Sequence, residues 1–220
     1  MERLSIVVPY RNRESHLSEF IPYMEKYLGE DDEIDFNIFV IEQFDDKPFN
    51  RAKLLNIGFK ESESFDYFAF HDVDMLPIDS DYSFPEGPTH LASEVEQFGW
   101  KLPYDGYFGG VTLFDKESFL KINGYSNNYW GWGAEDDDLL RRCSINEIET
   151  YRKDCKYRSL NHERPIDKNL YEKNIGKLNV FFNSPKSLDM SKNDGISDLE
   201  YEKTDESIIT GKSKIIRVKI

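Results

Sequence analysis

The chain has 220 residues, enough for one domain with a sizeable core and too few for two typical ones. A hydrophobic fraction of 39% and an aromatic fraction of 15% exclude wholesale disorder, and no apolar run approaches the roughly 20 residues of a membrane-spanning helix. With 42 acidic against 28 basic residues the formal charge is −14, a field that repels nucleic acid and anionic membranes.

Leu4-Ser-Ile-Val-Val-Pro9 is a short β-branched run that predicts a strand buried on both faces. Met1 leads almost directly into it, so no secretory leader is expected. From Glu14 to Leu28, residues Leu17, Phe20, Ile21, Met24 and Leu28 fall at helical spacing, with Pro22 predicting a kink or a delayed start. Phe36-Asn-Ile-Phe-Val-Ile41 is a second strand. Asn50 can cap a helix carrying Leu54, Leu55, Ile57 and Phe59. Phe65 to Phe70 is a third strand, running into His71-Asp-Val-Asp74. Strand and helix in alternation imply a parallel sheet with right-handed crossovers, in which ligands sit beyond the carboxyl ends of the strands. Two polar clusters fall there: Tyr10-Arg-Asn-Arg13 and Asp72-Val-Asp74.

Farther on, Pro77 to Pro88 reads as a turn-rich loop, and Tyr107-Phe-Gly-Gly110 leads into an apolar strand from Val111 to Phe114. Asn127-Asn-Tyr-Trp-Gly-Trp-Gly-Ala-Glu-Asp-Asp-Asp138 is aromatic and glycine-rich first and acidic afterwards. Its acid opens a helix through Leu139, Leu140 and Arg142, where carboxylates suit the positive helix terminus. Tyr157 to Leu160 predicts a short strand. Residues 166–195 are polar and weakly patterned and are expected to be mobile. Leu199-Glu-Tyr201 and Lys214 to Ile220 read as a closing pair of strands. One domain over 1–220 is expected, with parts at 1–75 and 76–165, a mobile segment at 166–195 and closing strands at 196–220. Cys143 and Cys155 are the only cysteines, a usage that fits a reducing, cytoplasmic setting.

Asp fills 21 of 220 positions, so about two D-x-D triplets are expected by chance; the chain has three, at 72–74, 79–81 and 136–138. Only the first ends a buried strand at the mouth of a parallel sheet. Oxygen ligands there suit a hard divalent cation bridging a diphosphate; the alternative is a solvated loop. Arg11, Arg13 and Arg51 lie beside strand ends. In so acidic a chain they point to a local anion site, because Arg forks match phosphate oxygens. Gly131 and Gly133 give backbone freedom for a moving lid, and Trp is the usual platform for a sugar face. Glu135 and Asp136 are either a helix cap or hold a general base for an acceptor hydroxyl. Of the four His, His16 reads as a helix-surface residue and His90 as a loop or strand residue. His162, after the strand at Tyr157, can reach a metal as an imidazole ligand.

These segments together resemble the β-1,4-galactosyltransferases. The similarity is carried by Pro9 to Arg13, Phe49 to Phe59, His71 to Pro77, Tyr107 to Gly110, Asn123-Gly124, Asn128 to Asp138 and His162, in order along most of the chain, and the Trp-Gly-Trp-Gly-x-Glu-Asp-Asp signature is its most specific part. His71 and Asp81-Tyr-Ser-Phe-Pro85 lean toward the xylose-acceptor branch. Asn128-Tyr129 and Asp137-Asp138 lean toward the N-acetylglucosamine branch.

The resemblance implies a GT-A fold, a Rossmann-like α/β/α sandwich with a mixed, mainly parallel sheet, and Mn²⁺-dependent transfer of galactose from UDP-galactose to a sugar hydroxyl in β-1,4 linkage. It places UDP-galactose on Pro9, Tyr10, Arg11, Asn12, Arg13, Phe49, Asn50, Arg51, Asp72, Val73, Asp74, Tyr107, Gly110 and Trp132. Asp136 is the implied catalytic base, with Glu135 beside it. A saccharide acceptor, GlcNAc- or xylose-like, meets Tyr104, Tyr107, Trp132, Ala134, Glu135, Asp136 and Asp137. Asp74 and His162 hold the metal. Where the family carries a Met three residues before that His, or a second His two residues after it, this chain has Ser159 and Arg164, so Ser159 or a water becomes the third ligand. Rival readings are the same fold with UDP-GalNAc or UDP-glucose as donor, a non-catalytic nucleotide-sugar or carbohydrate-binding module, and a two-carboxylate glycosidase.

Overall fold

The computed structural model describes residues 2–163 and 166–220. Its main sheet has eight strands in the order β10-β11-β2-β1-β3-β7-β5-β8, built from β1 (Arg3–Tyr10), β2 (Asp35–Gln43), β3 (Tyr67–His71), β5 (Thr89–His90), β7 (Val111–Asp115), β8 (Tyr151–Arg152), β10 (Glu202–Ile208) and β11 (Ser213–Lys219). A second sheet, β4-β9-β6, joins β4 (Met75–Asp79), β6 (Glu94–Val95) and β9 (Lys156–Ser159). β1 pairs in parallel with β2 and β3, and β11 in parallel with β2, whereas β7 runs antiparallel to β3. The sheet is mixed, with the parallel strands at its centre.

Among the described residues the α-helices are α1 (Glu14–Gly29), α2 (Arg51–Glu61), α3 (Lys116–Lys121), α4 (Glu135–Ile145), α5 (Lys168–Asn183) and α6 (Ser187–Lys192). β1 explains the layering. Leu4, Ile6, Val8 and Tyr10 face Phe20, Ile21, Met24 and Leu28 of α1, while Val7 faces α2 on the other side. Every residue of β1 from Leu4 on is buried, as the unbroken apolar run requires. On the α2 side Gly58 allows a close approach, since a Cβ there would stand 2.1 Å from Val7 Cγ1. Among the described residues, no helix is long and apolar enough to cross a membrane.

The expected elements differ from this architecture in five places, the first being that Pro77 to Asp79, read as loop, belong to β4, which pairs with β9. α1 starts at Glu14 and runs on through Pro22. A mid-helix proline costs about 3 kcal/mol, and burial of Phe20, Ile21, Met24 and Leu28 at about 1.5–3 kcal/mol each outweighs it. Residues 166–195, read as weakly patterned, contain two helices. The Asp167 carboxylate caps α5 by accepting from Asn169 N and Leu170 N at 2.9 and 3.2 Å. The third strand is shifted to Tyr67–His71, because Asp66 accepts from Arg3 N at 2.7 Å ahead of it. The first closing strand starts at Glu202, since Leu199 and Tyr201 pack against the α2-side core instead.

Candidate active site

The parallel register of β1, β2 and β3 sends their carboxyl ends to one edge of the sheet, where Arg11, Arg51 and Asp72 follow. Asn50 caps α2 there. Its Oδ1 accepts from Lys53 N at 2.9 Å, and its Nδ2 reaches the Asn127 carbonyl at 2.8 Å. That cap points Arg51 into a cluster of acids. Arg51 Nε donates to Asp72 Oδ1 at 2.6 Å, Nη1 donates to Asp136 Oδ1 at 2.8 Å, and Glu135 Oε1 lies 3.7 Å away. One guanidinium therefore ties the end of β3 to the start of α4.

The four consecutive acids at the start of α4 go to different partners. Glu135 and Asp136 meet Arg51. Asp137 Oδ1 accepts from Tyr104 Oη at 2.9 Å, and Asp138 is buried against Arg142 Nε at 2.5 Å and Tyr129 Oη at 3.0 Å. Asp138 is thus part of the structural framework. Ala134, just before the helix, has φ +81°, a left-handed conformation that a side chain resists. Burial pushes the Asp136 carboxyl well above the usual aspartate range. Arg51 opposes that shift, while Glu135, Asp72 and Asp137 reinforce it. Burial also raises Glu135, again against Arg51.

Tyr107-Phe-Gly-Gly110 forms the floor beneath Asp136. A Cβ on Gly109 would stand 2.3 Å from Asp136 Oδ2 and 2.8 Å from Tyr107 Cε2, so glycine is required for the approach. Gly110, at φ +78°, is similarly close to Met75. The Tyr107 phenol is raised well above its ordinary pKa by burial, with Asp136 and Asp72 adding to it, and stays protonated.

The two aspartates of Asp72-Val-Asp74 part company. Asp72 turns to Arg51, whereas Asp74 Oδ2 lies 3.3 Å from His162 Nδ1. Two donors bound about 2.1 Å from one ion at right angles stand about 3 Å apart, so this oxygen–nitrogen pair has a separation a Mn²⁺ ion accommodates. Among the described residues no third His, Cys, Asp or Glu completes a metal-binding group. Ser159 Oγ accepts from Gln97 N at 3.2 Å, and Ser159 N donates to Glu96 at 3.1 Å, so its hydroxyl and its amide both serve the turn at Glu96–Phe98. Arg164 lies outside the described residues. The Asp72–Asp74 turn is set by His71: Nδ1–H donates to the Asp72 carbonyl at 2.9 Å and Nε2 accepts from Tyr82 Oη at 2.8 Å. Burial lowers that imidazole to about 4, which keeps it neutral for this arrangement.

The remaining expected residues are spread around this centre. Pro9 and Tyr10 end β1, and Tyr10 Oη accepts from Arg13 N at 3.3 Å. Asn12 has φ +52°. Arg11 lies 5.4 Å over the Phe49 ring and donates to the Lys47 carbonyl at 2.7 Å. The Phe49 carbonyl accepts from Gly131 N at 2.7 Å, which brings the Trp130–Gly133 loop to the same edge. Val73 is buried and Trp132 is 49% exposed, stacked at 5.5 Å on Tyr171 of α5. Sequence reasoning missed α5's part in this. Asn174 Nδ2 donates to the carbonyls of Trp130 at 3.0 Å and Gly133 at 3.2 Å, and Leu170 packs over Gly131.

Known proteins resemble this chain in sequence and fold. Residues 1–85 match the profile described as the N-terminal region of glycosyl transferase group 7, and residues 89–164 match the one described as the N-terminal domain of galactosyltransferase. The chain belongs to the β-1,4-galactosyltransferase family. It is 45% identical to human β-1,4-galactosyltransferase 4 over 157 residues, covering 69% of this chain and 45% of that protein. With mouse β-1,4-galactosyltransferase 2 it shares 39% over 209 residues, covering 91% of this chain and 55% of that protein. This member thus spans about half the length of those relatives. The catalytic domain of Drosophila β-1,4-galactosyltransferase 7, solved with xylobiose, superposes with a TM-score of 0.83 at 29% identity, covering all of this chain and 94% of that one. A mutant of the same Drosophila enzyme, solved with manganese, UDP-Gal and xylobiose, superposes with a TM-score of 0.79 at 29% identity, covering 100% of this chain and 94% of that one. The expected GT-A architecture is the one found.

Proposed function

We propose that this family member is an inverting, metal-dependent galactosyltransferase that moves galactose from UDP-galactose to a hydroxyl of a GlcNAc- or xylose-like acceptor. The observation that carries the reading is the placement of Asp136, held over Gly109 by Arg51, which also holds Asp72, the first residue of the Asp72-Val-Asp74 turn whose Asp74 lies 3.3 Å from His162. A binding module needs no raised carboxylate in that position, and a glycosidase leaves the Arg cluster without a purpose. The Drosophila relative solved with manganese, UDP-Gal and xylobiose supports the same donor, ion and acceptor class.

In this reading the acceptor hydroxyl lies against Asp136, with Glu135, Asp137, Tyr104 and Trp132 around the acceptor sugar. Asp136 takes the hydroxyl proton as the oxygen attacks the anomeric carbon from the face opposite UDP. The carbon–oxygen bond to the diphosphate breaks, and its electron pair leaves on UDP. The upward shift that burial gives Asp136 makes its ionised form a stronger base toward the acceptor hydroxyl. Arg11 and Arg13 bind phosphate oxygens, Phe49 and Val73 flank the nucleotide, and Tyr107 closes the pocket around the galactose. Arg51 keeps Asp136 oriented toward the acceptor. Asp74 and His162 are the residues that would hold Mn²⁺, which when bound neutralises diphosphate charge. A cytoplasmic location belongs to the same reading, and the unpaired, buried Cys143 and Cys155 support it.

The test is transfer from UDP-galactose to GlcNAc and to xylosides, with Mn²⁺ and with excess chelator. Transfer that depends on Mn²⁺ is the expected result, as is a Mn²⁺-induced rise in Tm lost in Asp74→Asn and His162→Asn. Full activity in chelator overturns the metal assignment. Faster transfer from UDP-GalNAc or UDP-glucose overturns the donor, and UDP-galactose binding without turnover overturns catalysis.

A further inference from the structure

Beneath the Tyr107–Gly110 floor the buried His90 meets the exposed Arg152, a contact that none of the roles above uses. β5 and β8 are adjacent and parallel, with His90 beside Arg152 in register. Arg152 Nε lies 3.1 Å from His90 Nδ1, and His90 Nε2 lies 2.9 Å from the Gly109 carbonyl. An arginine can only donate, so His90 Nδ1 must accept, and in the neutral ring that places the single proton on Nε2, aimed at Gly109. The tautomer is therefore set by its partners. Arg152 Nη2 also donates to the Tyr107 carbonyl at 2.8 Å and reaches toward the Asp105 carbonyl at 3.4 Å. The His90 ring, fully buried, meets the Tyr107 ring edge-on with centroids 5.3 Å apart.

We propose that His90 and Arg152 are positioning residues: together they grip the carbonyls of Tyr107 and Gly109 from below and hold this loop at the height where Tyr107 meets the donor sugar and Gly109 meets Asp136. The loop carries two consecutive glycines and so has little stiffness of its own. What fixes it is the Arg152-to-His90-to-Gly109 relay, which fits only one tautomer. The tolerance above it is small, because space for not even one methyl separates Gly109 from the Asp136 carboxylate. A shift of the loop by a few tenths of an ångström therefore moves the base relative to the anomeric carbon, and misplacement on the 1 Å scale costs about 10²-fold in rate. The nucleotide, bound through Arg11, Arg13 and Phe49 at the ends of other strands, does not feel it.

The inference rests on the galactosyltransferase reading, and the experiment separates the two. His90→Phe keeps the ring and removes both nitrogens, Arg152→Met removes the donor, and His90→Gln restores a donor and an acceptor about as far apart as the ring nitrogens. kcat per folded enzyme, measured at least about 10 °C below each Tm, is expected to fall roughly 10- to 100-fold in His90→Phe and Arg152→Met. UDP affinity by calorimetry should stay within about twofold, and His90→Gln should recover at least about tenfold of the loss. A lower Tm with unchanged kcat overturns the proposal, because it is the signature of packing alone. His90→Gln as slow as His90→Phe also overturns it. Nitrogen-15 spectra of the wild type supply a readout independent of turnover: His90 should show a protonated Nε2 and a bare Nδ1. The opposite tautomer refutes the relay, whereas that tautomer in a protein that turns over no sugar nucleotide leaves the relay in place and refutes the activity.

Discussion

Arg51 Nη1 meets Asp136 Oδ1 at 2.8 Å while the same guanidinium holds Asp72 at 2.6 Å, so the proposed base is fixed by a residue from another element. Burial raises the Asp136 carboxyl and Arg51 pulls it back down. Only the ionised form accepts a proton, so activity is lost as pH falls through this raised pKa. The acid limb of kcat/KM is expected above the usual range of aspartates, and because Glu135 lies on the same arginine it reports the pair. Asp136→Asn should lower kcat by roughly 10² or more with UDP affinity within about twofold. Arg51→Met removes the opposing influence and should move the limb to higher pH. A limb left in the ordinary carboxylate range, or an unchanged kcat in Asp136→Asn, removes Asp136 from its role.

Gly109→Ala tests the floor from above. The added methyl would overlap Asp136 Oδ2 and Tyr107, and Asp136 cannot swing away without leaving Arg51. kcat should fall by about tenfold or more, and Tm should fall with it, because the displaced carboxylate leaves the mostly buried Arg51 short of a partner. The pair of measurements, turnover and thermal denaturation, decides it: equal turnover means the acid is not held where the chemistry needs it.

How much of this was legible depended on whether a residue's partner was near it in sequence. β1, β2 and β7 announce themselves through continuous apolar runs, and Asn50 caps α2 from within its own segment. α5 does not. The residues of α5 that meet the rest of the chain, Leu170, Asn174, Lys177 and Phe181, fall at helical spacing, but two of the four are polar and read as surface, as the exposed Lys177 indeed is. Their partners are the carbonyls of Trp130, Gly133 and Asn128, some forty to fifty residues away in the chain. Asp72 and Asp74 look equivalent two positions apart, yet one faces an arginine and the other a histidine. Likewise nothing local distinguishes Asp138, which is structural, from Asp136. His90, read as an ordinary strand or loop histidine, has a partner in Arg152 that only the pairing of β5 with β8 brings beside it.

The Trp130–Gly133 loop is expected to act as a lid, and Asn174 is its latch. One buried amide serves the carbonyls of both Trp130 and Gly133. Asn174→Leu should strip those hydrogen bonds at a cost of about 1–3 kcal/mol, which raises the population of the open loop roughly 5- to 150-fold. Limited proteolysis at residues 128–134 should accelerate accordingly. In the wild type Mn²⁺ with UDP-galactose should slow that cleavage, since closure must keep water from the donor. Cleavage rates indifferent to both the mutation and the ligands would show a rigid loop with no lid function.

The donor preference should reside in Tyr107. Its ring is wedged between His90, Phe98 and Tyr104, with centroids 5.3, 5.8 and 5.6 Å away, so it cannot swing aside to admit a bulkier sugar. The phenol is kept protonated by burial and by Asp136 and Asp72, which leaves it able to donate a hydrogen bond to a sugar hydroxyl. A donor with an N-acetyl group at C2 would meet that ring instead. Tyr107→Leu removes the outer part of the ring and the hydroxyl together, and should raise transfer from UDP-GalNAc relative to UDP-galactose. A steric barrier plus one hydrogen bond is worth on the order of 1–3 kcal/mol, or roughly 10- to 200-fold in the ratio of kcat/KM. The comparison is made for both donors with one acceptor, wild type against Tyr107→Leu. Leucine also vacates volume beside His90, so a fall in rate for both donors is expected. The ratio is the diagnostic quantity, because a purely structural tyrosine would lower both rates equally and leave it unmoved.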